Sequence, residues 1–279
     1  MINQVKAEFL KLKYSNIFKA VPVLLGVGVI LYVVFSLSGG GTQLLVSEGD
    51  EEVNTAIQGM IGFLAFTFED LNNPQFDEIL QSAMSCNVFL WIFILILVVQ
   101  FFNYDYNSGT IKLPIAYGIS RIKIFLAKFL TIVIYAGTFY VLFSAFTFLY
   151  TCMNVNYSPT SSEVLRYLGY VGVNYLVMIS FILICLIVSI CLKNIGVIST
   201  VMCLFTLGSA ILYTGVWQQF HSYHILRYFI QLNPLYYWMN MGTLRLDYGI
   251  MNEMVIYFAF GVFILLPISI VLIRKQEVK

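Results

Sequence analysis

Apolar residues in this chain come in long unbroken runs. Trp91-Ile92-Phe93-Ile94-Leu95-Ile96-Leu97-Val98-Val99 is apolar at every position, which excludes the in-and-out alternation of a β-barrel strand and predicts a helix in apolar surroundings on every side. A helix rises about 1.5 Å per residue, so crossing about 30 Å of hydrocarbon takes roughly 20 such residues. Six stretches reach that length: 17–37, 82–102, 125–150, 168–192, 195–217 and 254–273. The expected fold class is an all-α membrane protein of six transmembrane helices, with residues 1–279 forming a single domain. Three polar or broken stretches interrupt the pattern: residues 38–81, 103–121 and 218–253.

The first 16 residues follow a different period. Ile2, Val5, Phe9 and Leu12 recur at helical spacing, with Lys6, Glu8, Lys11 and Lys13 largely off that stripe. This predicts an amphipathic helix lying in the membrane interface or a solvated helix capping the bundle. Its polar start, the length of the apolar run behind it and the lack of an Ala-x-Ala site argue against a cleaved signal peptide.

Composition agrees with the pattern: 60% of the residues are hydrophobic and 10% charged, against roughly a quarter charged in soluble domains. The placement of the charges matters more than their sum of +1. Twelve of the 15 basic residues (Lys6, Lys11, Lys13, Lys19, Lys112, Arg121, Lys123, Lys128, Lys193, Arg274, Lys275, Lys279) fall on one side of the predicted spans, and Arg166, Arg227 and Arg245 on the other. By the positive-inside rule both termini are cytoplasmic, in a plasma membrane, as expected for a bacterial multi-pass protein. Glu48, Asp50, Glu51, Glu52, Glu69, Asp70, Asp77 and Glu78 make the first outer loop acidic. A near-neutral chain without a basic surface is not expected to bind nucleic acid.

Several chemistries are missing. Apart from Lys19 and Lys128, close enough to the inner boundary to snorkel, the spans hold no ionisable residue, so the usual relay of an ion-coupled carrier is absent. There is no phosphate-binding loop, His-Glu-x-x-His or Gly-x-Ser-x-Gly. The chain is therefore read as no enzyme, with no cofactor or metal of its own. Cys86, Cys152, Cys185, Cys191 and Cys203 have no metal or redox spacing, although Cys86 and Cys152 both approach the outer face, where a disulfide is conceivable. His221 and His224 lack the companions of a metal site. Any uphill transport needs energy from a partner.

The connection Asn103 to Arg121 is the longest on the cytoplasmic side. Ser108-Gly109 signals a turn, Pro114 limits any helix to a short piece, and Ser120 can cap the next span. A short helix between Thr110 and Tyr117 would expose Ile111, Leu113, Ile115 and Tyr117, a set costly to leave in water and suited to headgroups or another protein.

Asp105, Gly109, Thr110, Ser120, Arg121 and Lys128 together resemble the loop of ABC type-2 exporter permeases, which commonly reads Glu-x-x-x-Gly-Thr, then a Ser-Arg pair, then a Lys entering the next helix. Asp105 replaces the usual Glu, and Gly118 stands where Pro is frequent. Glu8-Phe9-Leu10-Lys11-Leu12 is similar to the family's amphipathic elbow. Within that family the chain resembles bacterial permeases for antimicrobial-peptide or lantibiotic immunity and for drug export. The resemblance implies an elbow (1–16, with Val5, Phe9 and Leu12 as its apolar contacts), a coupling loop between the second and third spans, and an outer helical hairpin at 218–253.

It further implies two cytoplasmic ATPase subunits, which hold ATP and Mg, and a second permease subunit, identical or paralogous. Gly109, Thr110, Ile111, Lys112 and Leu113 would meet the ATPase, braced by Asp105 and Arg121. Asn87 and Gln100 of the second span and Thr200, Thr206 and Ser209 of the fifth would line the pathway. Tyr236, Tyr237 and Trp238 would close an outer gate, or else form an ordinary interfacial aromatic belt with Tyr213 and Trp217. So apolar a lining suits an amphipathic cargo, an antimicrobial peptide foremost, with a hydrophobic drug or lipid as the alternative. A non-transporting scaffold or sensor and a secondary carrier are the readings from other classes.

Overall fold

Every apolar run named above is helical along its described length. The structure, a computed structural model, describes residues 2–37, 42–47, 61–65, 68, 74–85, 87, 90–107, 109–192, 194–215, 231–241 and 248–275. Helix α1 (Ile2–Tyr14) meets α2 (Asn16–Leu37) at a bend of 68°. Ser15 makes the corner, its Oγ donating to the Leu12 carbonyl at 2.6 Å. Then come α3 (Phe76–Ser85), α4 (Leu90–Asn107), the short α5 (Lys112–Ala116), α6 (Arg121–Asn154), α7 (Ser161–Leu192) and α8 (Ile195–Gly215). The C-terminal part holds α9 (Pro234–Met241), α10 (Tyr248–Phe260), a π-helical turn at Gly261–Leu265 and α11 (Leu266–Lys275).

Among the described residues four stretches are long and apolar enough to cross a membrane: Phe76–Asp105, Arg121–Asn154, Ser161–Leu192 and Met251–Lys275. Counting the bent pair α1 and α2 as one makes five, while α8 is apolar over the shorter Ile195–Gly208. This is a helical molecule compatible with a multi-pass membrane protein.

The all-α class holds, with one short ribbon beside the helices. Thr42–Ser47 (β1) and Ile61–Ala65 (β2) pair antiparallel, with Thr42 opposite Ala65, Gln43 opposite Leu64 and Leu44 opposite Phe63, then a register shift before Ser47 opposite Ile61. Each apolar segment is far too short to span, and pairing satisfies its backbone groups locally. The helices also begin earlier than the apolar runs. α3 starts at Phe76 because the Glu78 carboxylate accepts the Gln75 N–H at 2.9 Å and two acids occupy the first turn. Before α7, Glu163 accepts the Thr160 N–H at 2.7 Å in a capping box. Ser120 caps α6 as expected, its Oγ accepting from Lys123 N.

α7 is the central post, touching α4, α6, α8, α9, α10 and α11, while α6 carries α1, α2 and α3. Small residues let backbones approach, as membrane bundles require: a Cβ on Gly261 would fall 2.9 Å from Ser180 Cβ. Neutral hydrogen bonds stitch the interior. Tyr32 of α2 bonds Thr151 of α6 and the Ser82 carbonyl of α3, and Tyr167 donates to the Ser144 carbonyl at 2.6 Å. Outward-facing Val27, Ile30 and Val34 on α2, Leu142 and Leu149 on α6 and Phe263 in the π turn leave an apolar exterior suited to lipid.

Candidate functional site

Two residues of α1 are buried, Glu8 and Leu12, one helical turn apart on the face that packs against α6. Glu8 therefore points into the bundle. Asp105 lies in the last turn of α4, beyond its apolar run, and Lys128 lies two turns into α6. These groups and Lys11 form a closed ring of four charges. Lys128 Nζ stands 2.7 Å from Asp105 Oδ2 and 3.2 Å from Glu8 Oε2; Lys11 Nζ stands 3.0 Å from each of Asp105 Oδ2 and Glu8 Oε1.

Burying any one of these charges alone would cost several kcal/mol. The ring is neutral as a set, and each ammonium faces both carboxylates. Lys128, with 1% of its side chain exposed, also sits 4.6 Å over the Phe101 ring and 3.5 Å from the Phe101 carbonyl. Burial pulls the Lys11 ammonium toward neutrality, but the Glu8 and Asp105 carboxylates outweigh it and hold its pKa above the ordinary lysine value. The expectation that Lys128 snorkels is thus overturned. α6 begins at Arg121 rather than at the apolar run, so Lys128 is well inside the helix and reaches inward to carboxylates.

Asp105 extends the clasp to the following connection. Its Oδ1 accepts from Thr110 Oγ1 at 2.8 Å, and its carbonyl accepts from Ile111 N at 3.3 Å. The latter bond draws Ile111 against the bundle, 3% exposed, which corrects the expectation that it faces outward. Leu113 and Tyr117 do face outward, 62% and 84% exposed, and Ile115 is half-buried. Gly109 and Gly118 flank α5 at φ +70° and +80°. Proline, locked near −65°, cannot take the place of Gly118 in this turn. Lys112 is exposed, and Arg121 is half-buried at the first residue of α6, outside the ring of four. Ser108 is not among the described residues.

A cavity of about 840 Å³ opens beside the clasp, lined among others by Lys11, Asn16, Gln100, Tyr104, Asp105 and Thr110. Among the described residues Gln100 is the only expected pathway residue in it. Asn87 is buried elsewhere, bonding Met84 Sδ at 3.1 Å and accepting from Ser144 Oγ at 3.4 Å. Thr206 is buried and donates to the Met202 carbonyl; Thr200 is exposed and donates to the Gly196 carbonyl. The Ser209 side chain lies outside the described residues. The four described side chains, Asn87, Gln100, Thr200 and Thr206, do not share one surface.

Of the α1 stripe, Leu12 is buried and Val5 and Phe9 are half-buried. The aromatics of α9 are largely interior. Trp238 packs edge-on against Phe181 at 5.8 Å, Tyr237 lies 4.8 Å from Tyr257, and Tyr236 is half-buried beside Tyr237. What pins them is Asn233, whose Oδ1 caps Leu235 N and whose Nδ2 donates to the Phe205 and Thr206 carbonyls of α8. Sequence showed only a chain break there. His221, His224, Arg227, Arg245 and Trp217 lie outside the described residues, as does the Tyr213 side chain.

At the other end of the bundle Arg166 pairs with Asp77 at 2.9 Å. Tyr157 donates to Glu163 at 2.9 Å; burial, then that carboxylate, pushes its hydroxyl pKa up to about 12. Cys152 is a free buried thiol, and Cys86 is outside the described residues. No curated protein matches this chain. A family model does, over residues 30–278, and the chain belongs to the family described as Protein of unknown function (DUF2705).

Proposed function

We propose that the chain is the transmembrane permease subunit of an ATP-driven exporter of the ABC type-2 kind, moving an amphipathic cargo such as an antimicrobial peptide out of the cell or its membrane. The observation that carries this reading is the clasp. Glu8, Lys11, Asp105 and Lys128 tie α1, the end of α4 and the start of α6 into one unit, and Thr110 fastens the 109–120 connection to it. A push on the exposed face of α5 would then move α1, α4 and α6 together.

In this reading six spans place both termini in the cytoplasm of a bacterial cell, α1 is the elbow, and the connection around α5 is the coupling loop. Two ATPase subunits bearing ATP and Mg dock beneath, and a second permease, identical or paralogous, faces the first. Closure of the ATPases becomes a rigid-body movement that opens a route between the permeases. Leu113 is the contact to test, because it is exposed and its replacement leaves the bundle intact. Leu113→Asp should lower peptide-stimulated ATP hydrolysis by the reconstituted complex at least about tenfold, the scale of a lost interface hot spot, with the chain inserted at normal levels. Unaltered stimulation would overturn the assignment. Stimulation by hydrophobic drugs or lipids, with none by amphipathic peptides, would move the cargo to that class.

A further inference from the structure

The 68° bend between α1 and α2 makes a corner that α6 closes on one side, and the corner is not filled. It holds a groove of about 760 Å³, within the roughly 300–1,000 Å³ of small-molecule sites. Its floor is apolar: Val5 and Phe9 of α1, Phe18 of α2, and Leu130 and Ile134 of α6. Its rim is not. Lys6 and Lys13 both line it, and seven residues, about two helical turns, put them on the same face of α1, roughly 10 Å apart along the axis.

Among the described residues neither lysine has a carboxylate within ion-pair distance. This sets them apart from Lys11 on the same helix, whose charge is spent in the clasp. An apolar trough with two free cations at its edge, at the bend of a helix entering a membrane-capable bundle, matches a molecule with an acyl chain and an anionic head.

We infer that the corner between α1, α2 and α6 is a binding site for one anionic phospholipid, its phosphate held between Lys6 and Lys13 and an acyl chain lying along Phe9, Phe18, Leu130 and Ile134. The site requires only that the bundle sit in a membrane; it does not depend on the exporter reading. A neutral lipid offers the chain without the charge, and a soluble phosphate the charge without the chain, so neither satisfies both parts of the groove. Such a site holds α1 in the interface by a defined contact rather than by diffuse attraction.

The full-length protein, extracted from bilayers of mixed phosphatidylglycerol and phosphatidylcholine, is analysed by native mass spectrometry for retained lipid. Wild type should keep one phosphatidylglycerol in preference to phosphatidylcholine. Lys6→Gln/Lys13→Gln should reduce that preference at least about tenfold, as expected for two lysines at an anionic lipid surface. Ile134→Ser, which alters the floor alone, should weaken retention of both lipids. Lys123→Gln/Lys275→Gln removes two exposed lysines away from the groove and should leave the preference unchanged. Preference surviving Lys6→Gln/Lys13→Gln, or lost equally in Lys123→Gln/Lys275→Gln, would overturn the site, as would a lipid-free dimer joined through α1. Equal displacement of the retained lipid by glycerol phosphate would show that the acyl groove contributes nothing and would overturn it too.

Discussion

Lys128 makes sense only in company. With its ammonium enclosed, Asp105 and Glu8 supply the opposing charge and Phe101 the ring face. Removing it leaves two buried carboxylates facing Lys11 alone, so Lys128→Met should destabilise the protein by about 3–5 kcal/mol, measured as a lower melting point in detergent. Glu8→Gln combined with Lys128→Gln removes one charge of each sign and should recover part of that loss; simple additivity of the two single changes would refute their coupling. Gln81 of α3 is the contrary case. It is fully buried, and among the described residues neither of its amide atoms has a hydrogen-bond partner. Gln81→Leu roughly keeps the volume and removes an unpaired polar group, so it should stabilise the protein by about 1–3 kcal/mol, read as a higher melting point. At this scale the sequence was legible where the chemistry was local. The Ser120 cap could be read from the residues before the apolar run, and Asp105 with Thr110 stood out only through the resemblance to the exporter loop. The ring of four could not, because Lys11 and Asp105 are 94 residues apart and only the fold brings them together.

Among the elements, apolar runs revealed where helices exist but not where they start. Polar caps outside the runs decide that: Glu78 at α3, and Glu163 at α7. The β1–β2 ribbon was missed for a related reason. Two five- or six-residue segments in an acidic stretch have no period that separates a strand from a loop. Aromatics of α9 were expected to close an outer gate or to form an interfacial belt; Tyr237 and Trp238 pack on α10 and α7. Close packing of the π turn on α7 also left no clear mark in the sequence. Gly261→Ala places a methyl against Ser180 and should cost about 1–3 kcal/mol through overpacking. Ser180→Gly in the same chain should relieve it, since the colliding Cβ is gone. Thermal unfolding of the single and double variants checks both statements.

For the whole molecule, sorting the charges by side yields a direct test of the proposed topology. In a cysteine-free background, Lys112→Cys should be protected and Ser158→Cys modified by a membrane-impermeant maleimide applied to intact cells. Both positions are exposed in the fold, so a reversed pattern would mean a reversed orientation rather than an inaccessible thiol. The same sorting left the interior to be found in three dimensions, because exposed apolar side chains on the outside of the bundle and buried ones in the core look alike along the chain.

The clasp also bears on the order of synthesis. Glu8 and Lys11 precede Asp105 in the chain, and Lys128 follows it across the rest of α4, α5 and two turns of α6. Until α6 is made, the nascent chain holds two acids and one lysine of the ring, a net charge of −1 that cannot be buried without penalty. α1 therefore has no stable berth while the helices between it and α6 are being inserted. It docks only when Lys128 arrives, so a segment translated before α4 and α6 is secured after them.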